Sequence, residues 1–159
     1  YTGPITYGIA VRKLQMDKSE EEKEADLQSI PDPIKRQARK ETMEKGIEAP
    51  IVMNSLKKAG EFLDQLEANI EDSGWIAGDK FSMADACTLP YILRLDHLAL
   101  SEAFSNEKRP KINNWYKGVR DLDFFDKAVT SQIPPPLVEM MNTFGEEVKD
   151  RALNLMEKK

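Results

Sequence analysis

From Pro50 onward, Val52, Leu56, Ala59, Leu63, Leu66 and Ile70 alternate steps of four and three. Such residues share one face only in an α-helix, because a strand brings every second residue to a face. A stripe this long predicts a helix packed along its whole length, from Pro50 to near Ser73 and Gly74. The same period recurs through the chain. Ile5, Ile9, Ala10 and Leu14 predict a first helix over residues 4–16, capped by Thr2 or Gly3 with Pro4 in its first turn. The Pro-Asp-Pro run at 31–33 breaks the chain and starts another helix, ended by Gly46. Pro110 opens a helix with Ile112, Trp115, Tyr116 and Val119 on one side, and DFFDKAV adds a short one. After the three prolines at 134–136, Leu137, Met141, Phe144, Val148, Ala152 and Leu155 predict one final amphipathic helix. Residues 17–30 are charged, with Leu27 and Ile30 as the large apolar side chains, and read as a solvated helix or a mobile connection. No window alternates with period two between hairpin turns. The expected fold is all-α, a bundle of about six or seven helices.

The 159 residues suffice for one hydrophobic core and are few for two, so residues 1–159 are expected to form a single domain. No apolar run approaches the ~20 residues of a membrane span. A formal charge of −5 argues against nucleic acid as a partner, since phosphate binding needs basic surface. One cysteine allows no internal disulfide, and one histidine beside it gives no metal constellation. The chain opens with Tyr1-Thr-Gly-Pro and lacks the pattern of a signal peptide. The expectation is that a targeting segment, a domain or another upstream part precedes these residues in the native protein. The sequence leaves the compartment open between the cytoplasm and an organelle after removal of a targeting segment.

Ser82 and Asp85 have the spacing of a capping box, in which the serine accepts from the third helical N–H and the carboxylate reaches back to the serine N–H. Phe81 precedes the cap and Ala86 stands at the staple position. Pro90 removes a hydrogen bond and is expected to bend the helix near Ala86 and Cys87. Together these features predict a central, buried helix whose start is fixed by side chains.

Trp75-Ile-Ala-Gly-Asp-Lys-Phe-Ser-Met-Ala-Asp-Ala, then Pro90-Tyr91, then Arg109-Pro-Lys-Ile-Asn-Asn-Trp115 resembles the C-terminal helical domain of the glutathione transferase superfamily. The charged region with its Pro-Asp-Pro, the EKGIEAP segment and the late prolines followed by FGEEV resemble a bacterial and plant branch. The resemblance covers nearly all of the chain. It implies that the Ser82–Asp85 box caps the central helix of the domain. It also implies a substrate pocket facing the first and last helices, which points to Tyr7, Val11 and Arg12 on the first and Met140 and Phe144 on the last. Each of these five suits plain core as well. The β-α-β pattern of the thioredoxin-like domain, which binds glutathione in the family, is absent from these residues. The resemblance therefore implies no catalytic residue here and no cofactor bound by this domain alone. Glutathione enters with an N-terminal domain, and the partner is that domain or another protein chain, with a homodimer as a further expectation.

Cys87, inside the capped helix and without a basic neighbour in sequence, reads as a buried structural cysteine. His97 lies near the end of that helix, where the dipole favours a cation, and reads as a capping or packing residue. Trp75 and Trp115 read as core anchors. Lys35, Arg36, Arg39 and Lys40 share a helix face that can hold an anion. Glu41, Glu44 and Glu48 follow at once, so a solvated face is the expectation. Three functions are compatible: the pocket-wall half of a glutathione-dependent transferase, a non-catalytic module serving as a structural or interaction subunit of a complex, and a carrier of an apolar ligand. With no paired base and nucleophile, the 159 residues alone are not expected to catalyse.

Overall fold

The computed structural model describes residues 2–158; Tyr1, on which the reading of the chain's start rests, lies outside them. Helix α1 covers residues 2–16 and has a π-turn at Tyr7–Val11 between the α-helical segments Thr2–Thr6 and Arg12–Met16. Thr2 and Gly3, expected as caps, lie inside it. Gly8 within the π-turn lets α1 approach the next layer closely: a Cβ there would stand 2.9 Å from a Val52 methyl.

Helix α2 spans Glu20–Gln28, so the charged segment is a helix and not a loop. Its start explains why. Ser19 Oγ accepts from the Glu22 N–H at 3.2 Å and Glu22 accepts from the Ser19 N–H at 2.9 Å, while three glutamates in the first turn complement the dipole. Leu27 is its buried anchor. Helix α3 spans Pro33–Lys45, capped by Asp32, which accepts from the N–H groups of Ile34 and Lys35 at 2.9 and 3.3 Å. Gly46 ends it with a positive φ of 58° that glycine adopts without strain.

Helix α4, Pro50–Asn69, is the long one; it stops a few residues before the expected Ser73 and Gly74 because Ile70 turns extended. Every stripe residue on α4 is buried, each contributing roughly 1.5–3 kcal/mol for a large side chain. Helix α5 spans Met83–His97 and continues through Pro90, which faces outward. Helix α6, Pro110–Arg120, has its open N–H groups at Lys111 and Ile112 satisfied by Glu67 of α4 at 3.0 and 2.9 Å.

A one-turn helix α7, Phe125–Ala128, leads to α8, Pro135–Glu146, and α9, Lys149–Glu157. The final amphipathic stripe is therefore two helices, not one. Val148, at φ −123° and ψ 6°, breaks it. The two parts serve different neighbours: α8 packs on α1 and α5, α9 on α4, and one straight rod reaches only one of these. Leu137, at the head of the stripe, is 42% exposed. Two glycines permit the close packing. A Cβ on Gly60 of α4 would run into the Met156 carbonyl of α9, and one on Gly145 of α8 into that of Leu98. The described residues thus form nine α-helices, three short 3-10 turns and no strand, an all-α bundle with more helices than expected.

Asp85 ties these layers together. It is fully buried, and its Oδ2 accepts from the Ser82 N–H at 2.8 Å and the Ser82 hydroxyl at 2.7 Å. Its Oδ1 accepts from the Ile76 N–H at 3.1 Å and the Trp115 indole N–H at 2.8 Å. One carboxylate thereby holds a loop, the start of α5 and the middle of α6. Burial by itself would raise its pKa; the hydrogen bonds from Ser82, Trp115 and Ile76 outweigh burial and hold it below the ordinary aspartate value. Phe81 packs edge-on against Trp75 and Phe124, with ring centroids 6.0 and 5.2 Å away, while the expected staple partner Ala86 is exposed.

Asp85→Asn turns one acceptor oxygen into an NH₂, so two of the four donors lose their partner whichever way the amide points. Chemical denaturation should show a loss of about 2–4 kcal/mol. Because the folded pKa is depressed, the carboxylate's contribution is complete above the unfolded value of about 4 and fades as pH falls toward the folded one. The gap in melting temperature between wild type and Asp85→Asn should therefore be widest at neutral pH and shrink below about pH 4. Gly60→Ala should cost about 1–3 kcal/mol by forcing α9 off α4, whereas Gly118→Ala, with open space at its Cβ position, should leave stability unchanged or raised in the same measurement.

Candidate functional site

Beside α1 lies a groove of about 740 Å³. Its floor comes from Pro4, Tyr7 and Val11 of α1, Ala38 of α3 and Ile51 of α4, and its rim carries Lys35, Arg39 and Arg94. Pro4, Tyr7 and Val11, spaced i, i+3 and i+7, share one face of α1, and the π-turn at Tyr7–Val11 lies in this wall. The Arg39 guanidinium lies over the Tyr7 ring, 3.7 Å from its centroid, and fixes one wall.

Of the five residues expected to line one pocket, only Tyr7 and Val11 reach this groove. Arg12 stands one residue past Val11, a rotation of about 100°, and lines a different cavity of about 390 Å³ with Glu20, Lys23, Glu24 and Glu44. Met140 and Phe144 of α8 pack partly buried against the core, and the Lys13 ammonium sits 5.6 Å from the Phe144 ring centroid. The resemblance implied Met140 and Phe144 on the pocket wall, but both pack against the core and neither lines the groove.

Two further expectations change. Cys87 is exposed, not buried. Asp85, Leu89, Ile92 and Leu95 form the buried face of α5, and Met83, Cys87, Pro90 and Tyr91 form its outer face, so the helix is half-buried. His97 is the last residue of α5, yet burial first and the nearby Arg94 second lower its pKa and favour the neutral imidazole over the cation. Its Nδ1 is buried without a hydrogen-bond partner. His97 borders a third cavity of about 570 Å³ with Tyr116, Arg120, Phe125 and Val138. There the Tyr116 hydroxyl donates to Asp96 at 2.8 Å; burial and the Asp96 charge raise its pKa, so it stays protonated. Trp115 is buried and Trp75 partly buried.

The groove can hold and orient a ligand: its lining has apolar, hydroxyl and cationic groups and includes no cysteine, histidine or carboxylate. Among the described residues no group of three His, Cys, Asp or Glu is placed to hold a metal ion, and no helix is long and apolar enough to cross a membrane. Sequence reasoning missed Ile51, Lys35, Arg39 and Arg94 as lining residues. The signal for the π-turn was a glycine, Gly8, inside an otherwise regular helical pattern.

The family described as glutathione S-transferase, C-terminal domain, matches residues 17–123. Glutathione S-transferase TCHQD of Arabidopsis thaliana is 34% identical over 53 residues, which cover 33% of this chain and 20% of that protein. The chain thus matches about a fifth of that relative's length. No solved structure matches it significantly. The matched region runs from before α2 to the end of α6 and includes the Ser82–Asp85 cap with its Trp115 anchor; the chain belongs to the glutathione S-transferase C-terminal domain family.

Proposed function

We propose that this chain is the helical half of a glutathione-dependent transferase and that it supplies the apolar wall of the substrate groove, with Tyr7 and Val11 as the surface on which an electrophile rests. The observation that carries this reading is the groove beside α1, whose size suits a small organic molecule and whose lining positions a ligand without supplying a thiol-activating group. Glutathione, in this reading, is bound by a thioredoxin-like domain, in the same polypeptide or a partner, and reacts across the open side of the groove. Arg12, Met140 and Phe144, which lie elsewhere, take no part in it.

A second reading, a module that binds another protein chain, draws on the outer face of α5. There Met83 is 77% and Tyr91 43% exposed, with the Phe62 ring 5.8 Å from that of Tyr91. Exposed apolar side chains grouped on one face favour contact with another surface.

Kinetics of the full-length protein from its natural source, with glutathione and 1-chloro-2,4-dinitrobenzene, separate the two. The transferase reading expects Tyr7→Ala and Val11→Ala to raise KM for the electrophile roughly tenfold and to leave KM for glutathione in place. Absence of glutathione-dependent turnover in the wild-type protein overturns it and leaves the α5 face as the functional surface.

A further inference from the structure

The cavity of about 390 Å³ that Arg12 lines lies between the end of α1, α2 and α3 and shares no residue with the groove. In a chain of net charge −5 its own charges balance, with Arg12, Lys23 and Lys40 against Glu20, Glu24 and Glu44. Part of this charge is engaged: Lys23 pairs with Glu20 at 2.8 Å, and Glu24 accepts from Gln28 at 2.6 Å. Arg12, Lys40 and Glu44 form no ion pair among the described residues.

Two polar atoms of the lining residues lack a counterpart. Arg12 Nε is a buried donor without an acceptor, and Gln15 Oε1 is a buried acceptor without a donor. The two residues stand three apart in the last α-helical segment of α1, so they share a face. The arginine's place is built into the fold: Gly46, which ends α3 with a positive φ, leaves the space its guanidinium fills, and a Cβ there would run into Arg12 Nη1. Buried polar groups are ordinarily paired, so a donor and an acceptor left open together call for an occupant that carries both. One water would bridge them, but the cavity holds more than ten times the ~30 Å³ of a water molecule. Met16, Leu27 and Met43 supply an apolar wall beside the polar atoms, and methionine adapts to the shape of what it meets.

We infer that this cavity binds a free α-amino acid with an uncharged, apolar side chain. Its carboxylate lies on the Arg12 guanidinium, which suits a planar two-oxygen acceptor, its ammonium on Gln15 Oε1 and Glu44, and its side chain on Met16, Leu27 and Met43. An α-amino acid joins an acceptor and a donor at one carbon, which matches an open donor and an open acceptor on one helix face. The site is separate from the groove beside α1 and does not depend on the transferase reading.

The test is calorimetric titration of the full-length protein with L-leucine and with its two halves, 3-methylbutan-1-amine, which lacks the carboxylate, and 4-methylpentanoate, which lacks the ammonium. Circular dichroism confirms that each variant is folded. L-Leucine should bind about tenfold or more tightly than either half. Arg12→Gln should weaken L-leucine and 4-methylpentanoate about tenfold and leave the amine in place, with Arg12→Lys recovering part of the loss. Gln15→Leu and Glu44→Gln should do the reverse, weakening L-leucine and the amine but not the acid. Arg120→Gln, outside this cavity, should change nothing. If Arg12→Gln does not fold, Glu44→Gln on the exposed rim and the comparison of the three probes decide the matter. No heat from L-leucine at millimolar concentration overturns the inference and leaves the cavity to water. Equal affinity for L-leucine and either half overturns the zwitterion, and L-leucine binding unmoved by the Gln15 and Glu44 variants places the amino acid elsewhere and overturns the site.

Discussion

The buried charge of Asp85 is the constraint on which the rest depends. A carboxylate removed from water is costly unless donors replace its hydration, and here four do so without a cation. Each donor belongs to a segment that would otherwise be free to shift: the loop at Ile76, the cap at Ser82, and α6 through Trp115. Since Trp115 is also among the largest fully buried side chains, polar anchoring and core packing converge on one residue. With α5 and α6 set, Glu67 caps α6 from α4, and α9 closes on α4 through the glycine contact at Gly60. The groove beside α1 is then bounded by elements whose mutual positions are fixed.

The groove is open chemically as well as sterically. Ion pairs elsewhere consume many of the surface charges: Lys13 with Glu147, Arg109 with Asp64, Arg151 with Glu48. Exposed pairs of this kind contribute little to stability, but they set where charge is neutralised and where it is left. What is left around Tyr7 is positive. On the proposed reading, this groove, with a cationic rim, an apolar floor and no thiol on its lining, holds the electrophile while another domain brings the thiol.

The regular parts of the fold were legible because they are repetitive. The α4 stripe, the Pro31–Pro33 break and the Ser82–Asp85 box each encode their structure within a few residues, so local spacing sufficed. What spacing could not show was the partner of each face. Leu137 to Leu155 keep one helical period, yet the chain turns at Val148, and the two parts pack on different neighbours, α8 on α1 and α5 and α9 on α4. Cys87 looked buried because α5 is central, but its position at two residues past Asp85 places it on the opposite face. The same limit divided the five expected pocket residues. The resemblance pointed to the first and last helices without saying which of their faces meet, and in the folded chain Tyr7 and Val11 line the groove while Met140 and Phe144 pack against the core.

Hydrogen exchange at the Trp115 indole N–H, followed by NMR beside the backbone amides of α5 and α6, bears most directly on the role given to Asp85. If that carboxylate ties the helices together, the indole proton exchanges only through global unfolding, at the rate of the slowest amides in Ile92 and Leu95. Fast indole exchange while those amides remain protected would mean that the bundle stands without the Asp85 contact.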